Sequence, residues 1–288
     1  MYDVIVIGAG PAGISASLYL KRANLKVLVL YSSISNLEKA EKIDNYYGFE
    51  KGISGKKLYE DGIKQAENLG VDVIKREVLA VENLGKEFVV KTDKEEYNVK
   101  AVIISTGNKK LKPNITGIEE FEGKGISYCA VCDAFFYRNK NVAVIGSGKF
   151  AISEAEELSH IAKNVTILTN GEKSLKTDFN VNEKNIKKIV GDTKVKAVEF
   201  KDGTSLEVDG IFIALGEAGA SDFAKTIGIA LNGESIKVNE NMETNVKGIY
   251  ACGNAVGGLL QVCKAVYEGA EAGLSAANYI RNLNGKDE

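Results

Sequence analysis

Two short glycine-rich loops, each set between an apolar run and an amphipathic stretch, constrain the fold of this 288-residue chain more than any other feature. The first is Gly8-Ala9-Gly10-Pro11-Ala12-Gly13. It follows Val4-Ile5-Val6-Ile7 and precedes a helical pattern over about 14–23 and a strand over 26–30. The second is Gly146-Ser147-Gly148-Lys149-Phe150-Ala151, with Ala151 in the third glycine place. It lies between a strand over 141–145 and a helix to about 161, with a strand over 165–168 after it. Glycines at this spacing allow the tight bend and let backbone N–H groups at the helix N-terminus approach a pyrophosphate. One such loop is weak evidence; two in the same strand–turn–helix setting point to a doubled architecture.

The remaining chain extends both halves. A helix over 55–69, strand-like segments over 71–99 and a buried strand over 101–105, ending in Thr106-Gly107, continue the first. Strands over 197–200 and 210–214 complete the second, and residues 248–280 read as strand, glycine loop and long helix. The expected fold is α/β: two Rossmann-like nucleotide-binding domains, the second inserted in the first. Residues 1–112 and 240–288 would form a discontinuous nucleotide-binding domain and 113–239 a central domain. The crossings are expected at Lys112-Pro113-Asn114 and near Asn239.

Lys and Arg total 37 against 39 Asp and Glu, without a long run of either sign, which argues against a nucleic-acid surface. No apolar stretch is long enough for a membrane span. With the first strand beginning at Tyr2, no signal peptide is expected and the expected location is cytoplasmic. Four cysteines are too few for a secreted disulfide scaffold, so the pair Cys129-Ala130-Val131-Cys132 reads as redox-active or metal-binding. A structural zinc site needs four soft ligands, and only Cys252, Cys263 and the single histidine, His160, remain. The redox reading is the better one, with one thiol of depressed pKa attacking as thiolate. Cys252 and Cys263 read as buried, apolar-like residues, and His160 as an exposed helix residue.

With these motifs in hand, the whole chain resembles the low-molecular-weight thioredoxin reductases. Ile43-Asp44-Asn45-Tyr46-Tyr47-Gly48-Phe49 looks like that family's flavin-contacting stretch. Ser127-Tyr128-Cys129-Ala130-Val131-Cys132-Asp133 is similar to its redox centre, and Gly248-Ile249-Tyr250-Ala251-Cys252-Gly253-Asn254 to the strand beside the flavin ribityl chain. The resemblance implies FAD in the first domain and a homodimer. Gly8, Gly10, Pro11, Ala12 and Gly13 would hold the pyrophosphate, with Tyr31 near the adenosine ribose. Asn45, Thr106, Gly107, Gly253, Asn254, Gln261 and Val262 would line the flavin side. It also implies that Cys132 faces the flavin, that Cys129 attacks the partner's disulfide and that Asp133 shuttles a proton. Asn254 stands where the family usually has Asp, and the Gly-Gly-Gln after the second strand is replaced by the region around Ser35-Asn36-Leu37.

One expected part is missing. NADPH-using members of the family read the 2′-phosphate with a His-Arg-Arg-x-x-x-Arg run after the central domain's second strand, because a dianion wants guanidinium forks or clustered positive charge. The matching positions here are Thr169, Asn170, Gly171 and Leu175, none of them basic; Lys173 and Lys176 are out of place. An NADH enzyme would want an acid at the strand end. Thr169 is there instead, with Glu172 three residues later. Lys149-Phe150 in the second loop adds bulk, and Phe150 is expected to obstruct a pyrophosphate. The chain is most similar to the subset of the family that takes electrons from ferredoxin and does not use NADPH. Thioredoxin would be its substrate, and a lysine-bearing face for the acidic ferredoxin is expected near the flavin edge. The alternatives are an NAD(P)H-dependent thioredoxin reductase, a dithiol oxidase passing electrons to oxygen, and a flavin-binding interaction module.

Overall fold

The computed structural model describes residues 2–32, 35–107, 113–128, 130–174, 176–216, 219–233 and 235–284, with the backbone alone at Asn36, Lys39, Val131, Cys132 and Ser221. The chain divides into two compact units: Met1–Lys109 with Gly219–Glu288, and Lys110–Ala218 inserted between them.

The first unit begins with the strand Val4–Ile7, all four residues buried. A strand covered on both faces reads as a continuous apolar run, and it sits at the centre of a parallel sheet. The order across the sheet is Ile249–Ala251, Ala101–Ile104, Val4–Ile7, Val27–Tyr31 and Asp72–Lys75. Registers are in step, with Val4 opposite Val27 on one side and Ala101 on the other. Helix α1 (Pro11–Arg22) follows the first strand with proline at its first turn, where a missing N–H costs nothing. Helix α2 is Gly55–Asn68, capped by the Ser54 hydroxyl accepting from Lys57 N at 3.2 Å. An antiparallel sheet of Val78–Asn83, Phe88–Thr92 and Glu96–Val99 completes this part of the unit.

The inserted unit repeats the plan. Its parallel sheet runs Asn180–Asn182, Asn164–Leu168, Asn141–Ile145, Gly210–Ile213 and Ile126–Ser127. Helix α3 is one turn, Ala130–Asp133, and α4 is Lys149–Ser159, with exposed His160 as its C-cap. A three-stranded antiparallel sheet, Ile186–Gly191, Val195–Phe200 and Ser205–Glu207, packs its Ile186, Ile189, Val195, Val198 and Phe200 into the core.

The second crossing lies about twenty residues before the expected one near Asn239, because residues 219–239 belong to the first unit. Helix α5 (Ala220–Ile227) packs against Val78–Asn83. The segment after it is tied down by Asn245, whose Oδ1 accepts from Ala230 N at 2.7 Å and whose Nδ2 donates to Gly228 O at 3.0 Å. Helix α6 (Val262–Asn284) then lies along α1 on a stripe of small residues. A Cβ on Gly269 would collide with Ala12 O, so only a bare glycine allows this approach. Among the described residues no helix is long and apolar enough to cross a membrane.

Candidate active site

In the first unit the glycine loop is packed hard at Gly8 and Gly13 and loosely at Gly10. Gly8, at the end of the first strand, has φ +115° and no room for a Cβ against Ser105 O. Ser105 Oγ lies 2.9 Å from Ile7 O and 3.1 Å from Gly8 O, fixing the bend. A Cβ on Gly13 would meet Gly8 O, so α1 starts directly on the strand end. Gly10 is less crowded: among the described residues, Ser35 Oγ at 3.7 Å is the one neighbour within 4 Å of its would-be Cβ. Gly10 caps α1 with no side-chain hydrogen bond, so the first-turn amides of the helix have no side-chain cap. An uncapped helix N-terminus beside a bare glycine fits the pyrophosphate of a dinucleotide. Pro11 supplies the preset φ.

The other residues expected at this site come from distant segments. Tyr31 ends the second strand, half-buried. Thr106 and Gly107 follow the strand Ala101–Ile104 through Ser105, with Gly107 at φ +75°. Asn45 Nδ2 donates to Gln261 Oε1 at 3.0 Å across 216 residues of sequence. This bond brings the 43–49 stretch to the start of α6, whose first residue is Val262. Next to it, the Tyr46 and Phe49 rings stack at 6.0 Å, and Tyr47 is fully exposed.

Gly253 and Asn254 open a short 3-10 turn, Gly253–Val256, held from beneath by two residues the sequence reading missed. Glu268 Oε2 accepts from Gly253 N at 2.9 Å, and Lys264 Nζ donates to Gly253 O at 3.0 Å and to Gly257 O. The two side chains pair with each other at 2.9 Å and are only 11% and 15% exposed. An acid and a base four residues apart on an otherwise small-residue helix face were the available signal. Cys252, at the foot of this turn, is buried as expected. Burial first, and the Glu268 carboxylate second, push its thiol pKa up, so it stays protonated and inert. Cys263 is exposed instead of buried, because the face of α6 that packs inward carries Ala265, Glu268, Gly269 and Ala272.

In the inserted unit, Cys129 lies outside the described residues, as does the side chain of Cys132, whose backbone belongs to α3. Ser127 Oγ donates to Asp133 Oδ2 at 2.7 Å, spanning the turn from before the first cysteine to after the second. Glu154 on α4 accepts from Ala130 N at 2.6 Å, fastening the start of α3. No sequence signal marked Glu154 for this role. The 3-10 turn Ala134–Tyr137 follows at once, and its Phe135 and Phe136 rings stand 69% and 67% exposed. The Arg138 guanidinium lies 5.8 Å over the Phe135 ring.

The second glycine loop differs from the first. Phe150, expected to obstruct it, is 4% exposed and packs in the core with Val144, Ala155 and Leu158; it blocks nothing. The helix period turns it inward from the N-terminus of α4. The would-be Cβ of Gly148 stands 3.5 Å from Gly216 O. At the matching phosphate-reading positions, Thr169 is 3% exposed, and Asn170 and Gly171 form a turn with φ +53° and +88°. Leu175 lies outside the described residues, and Lys173 and Lys176 are exposed.

The pyridine nucleotide-disulphide oxidoreductase family matches residues 2–269. The thioredoxin reductase of Aquifex aeolicus is 36% identical over 97% of this chain and 94% of its own length; that of Bacillus subtilis is 34% identical over 98% and 96%. An atypical thioredoxin reductase of Desulfovibrio vulgaris Hildenborough superposes with a TM-score of 0.93 at 36% identity, covering 98% of this chain and 99% of that one. A ferredoxin-flavin thioredoxin reductase of Clostridium acetobutylicum gives 0.73 at 34% identity, covering 99% and 98%. The chain belongs to the pyridine nucleotide-disulphide oxidoreductase family, among its thioredoxin reductases.

Proposed function

We propose that this protein is an FAD-dependent thioredoxin reductase that takes its electrons from reduced ferredoxin and not from NAD(P)H, and that it works as a homodimer. The observation that carries the donor is the segment after the strand Asn164–Leu168. A buried threonine, an Asn-Gly turn and an acid occupy positions where a 2′-phosphate would need guanidinium groups. The likeness to a ferredoxin-flavin thioredoxin reductase agrees with this reading.

Gly8, Gly10, Pro11, Ala12 and Gly13 would hold the FAD pyrophosphate, with Tyr31 toward the adenosine. Asn45, Thr106, Gly107, Gly253, Asn254, Gln261 and Val262 would line the flavin. When bound, FAD supplies the link between one-electron donors and two-electron disulfide chemistry. Two electrons, one from each of two ferredoxins, and two protons convert the Cys129–Cys132 disulfide to two thiols. Cys129, as thiolate, attacks thioredoxin's disulfide and displaces one sulfur. Cys132 then displaces Cys129's new partner, leaving thioredoxin with two thiols and the pair oxidised again. Asp133, oriented by Ser127, carries the proton that a departing sulfur takes up. The exposed Phe135 and Phe136 rings offer thioredoxin an apolar lip beside the pair.

The test is anaerobic mixing of the purified flavoprotein with excess NADPH, then NADH, while following the flavin's visible absorption. No bleaching by either, then bleaching by photoreduced ferredoxin and thiol formation in thioredoxin, is the expected result. Rapid bleaching by either nucleotide restores the NAD(P)H-dependent reading.

A further inference from the structure

Glu172 follows the strand Asn164–Leu168 too late in sequence to be a ribose-binding acid at the strand end, but the chain doubles back. Glu172 N donates to Thr169 O at 3.2 Å, closing a four-residue turn. Both central residues, Asn170 and Gly171, have positive φ, as in a type I′ turn. The turn is anchored at each corner. Thr169 Oγ1 donates to Glu172 O at 2.5 Å, and Asn170 Oδ1 accepts from Ile186 N at 2.7 Å. A Cβ on Gly171 would run into the Asn185 side-chain amide. With the turn held in this way, the Glu172 carboxylate accepts a hydrogen bond from Ser147 Oγ, between the first two glycines of the second glycine loop.

We propose that Glu172 is the residue that closes the second glycine loop to dinucleotides, by occupying Ser147 with a carboxylate delivered from the Asn170-Gly171 turn. A dinucleotide phosphate arriving at this loop would meet a negative charge, and would have to displace the carboxylate from Ser147. The strand-end residue cannot compensate: Thr169 is buried and its hydroxyl is spent within the turn. Glu172 is therefore a specificity determinant acting against NADPH and NADH alike. This inference rests on the reading that the chain does not use NAD(P)H, and names its cause.

The experiment is calorimetric titration of the FAD-loaded protein, wild type, Glu172→Gln and Glu172→Lys, with NADPH and with NADH, alongside flavin reduction by photoreduced ferredoxin. Removing one like charge a few ångströms from a phosphate is worth about a fivefold to tenfold change in affinity at a protein surface. Glu172→Gln is expected to bind both nucleotides about fivefold more tightly than the wild type. Glu172→Lys is expected to gain at least tenfold for NADPH, with ferredoxin-driven reduction unchanged in both variants. Unaltered binding in Glu172→Gln overturns the proposal while leaving the ferredoxin reading intact, even if Glu172→Lys gains from its added charge. Tight NADH binding by the wild type that weakens in Glu172→Gln also overturns it, making Glu172 a ribose ligand. Flavin bleaching of the wild type by nucleotide overturns the donor reading as well.

Discussion

Ser127 and Asp133 stand on either side of the Cys-x-x-Cys turn and are joined by a 2.7 Å hydrogen bond from the serine hydroxyl to the carboxylate. The bond fixes the direction of the proposed proton carrier before a partner arrives. Asp133→Asn is expected to slow thioredoxin reduction about 100-fold, the scale of a lost general acid or base. Ser127→Ala, which costs one charge-assisted bond, is expected to slow it about tenfold. Ser127→Thr retains the hydroxyl and should restore most of the rate. Steady-state thiol formation in thioredoxin measures all three; equal rates in wild type and Asp133→Asn would remove Asp133 from the mechanism.

The proposed division of labour between the cysteines has a mass-spectrometric signature. Cys129→Ser is expected to abolish thioredoxin reduction and to form no adduct with it. Cys132→Ser is expected to attack but not resolve, accumulating a mixed disulfide between Cys129 and thioredoxin. The reverse pattern would exchange the two roles.

Glu268 and Lys264 hold the turn that carries Asn254 through a pair that is almost fully out of water. Glu268→Gln leaves the lysine charge without its counter-ion, at a cost of about 3 kcal/mol. We expect a lower melting temperature for the FAD-free chain and weaker FAD retention on gel filtration. Unchanged values in both would show that the turn holds its shape without the pair.

Cys252 gives the protein an alkaline liability. Its folded pKa is raised above the ordinary 9.0 by burial and by Glu268, so the folded chain keeps a proton that the unfolded chain gives up. That contribution is complete below about pH 9 and is lost as pH rises above it, at about 1.4 kcal/mol per pH unit for one proton. Tyr59, pushed up to about 12 mainly by burial, adds to the same trend above pH 10. Urea unfolding from pH 8 to 11 should show this decline, and Cys252→Ala should reduce its slope by one proton's worth. Exposed Cys263 should be alkylated in the native protein while Cys252 is not.

The parallel sheets were legible because strands covered on both faces leave unbroken apolar runs, as in Val4–Ile7, and because each run ends in a glycine turn. Helix α5 was not, although its ends carry signals. Asp222 accepts from Gly219 N at 2.8 Å, and Gly228 closes the helix at φ +76°. Its membership of the first unit depends on tertiary packing against Val78–Asn83, which no local pattern encodes. Likewise Asn170-Gly171 announces a turn, but where that turn points Glu172 depends on the glycine loop beside it. Glu154 was invisible for the same reason: its partner is a backbone amide, and an amide has no letter in the sequence.

The bare-glycine seam between α1 and α6 joins the start of the chain to its end. On the ribosome, the inserted unit has all of its strands available once residue 218 has emerged, whereas the first unit still lacks α6 and its edge strand Ile249–Ala251. The cysteine pair therefore belongs to a finished unit while the cradle for its cofactor still lacks its edge strand, the Gly253–Val256 turn and α6. Cofactor loading must await release of the last segment, so nascent chains lacking it cannot run the proposed electron transfer.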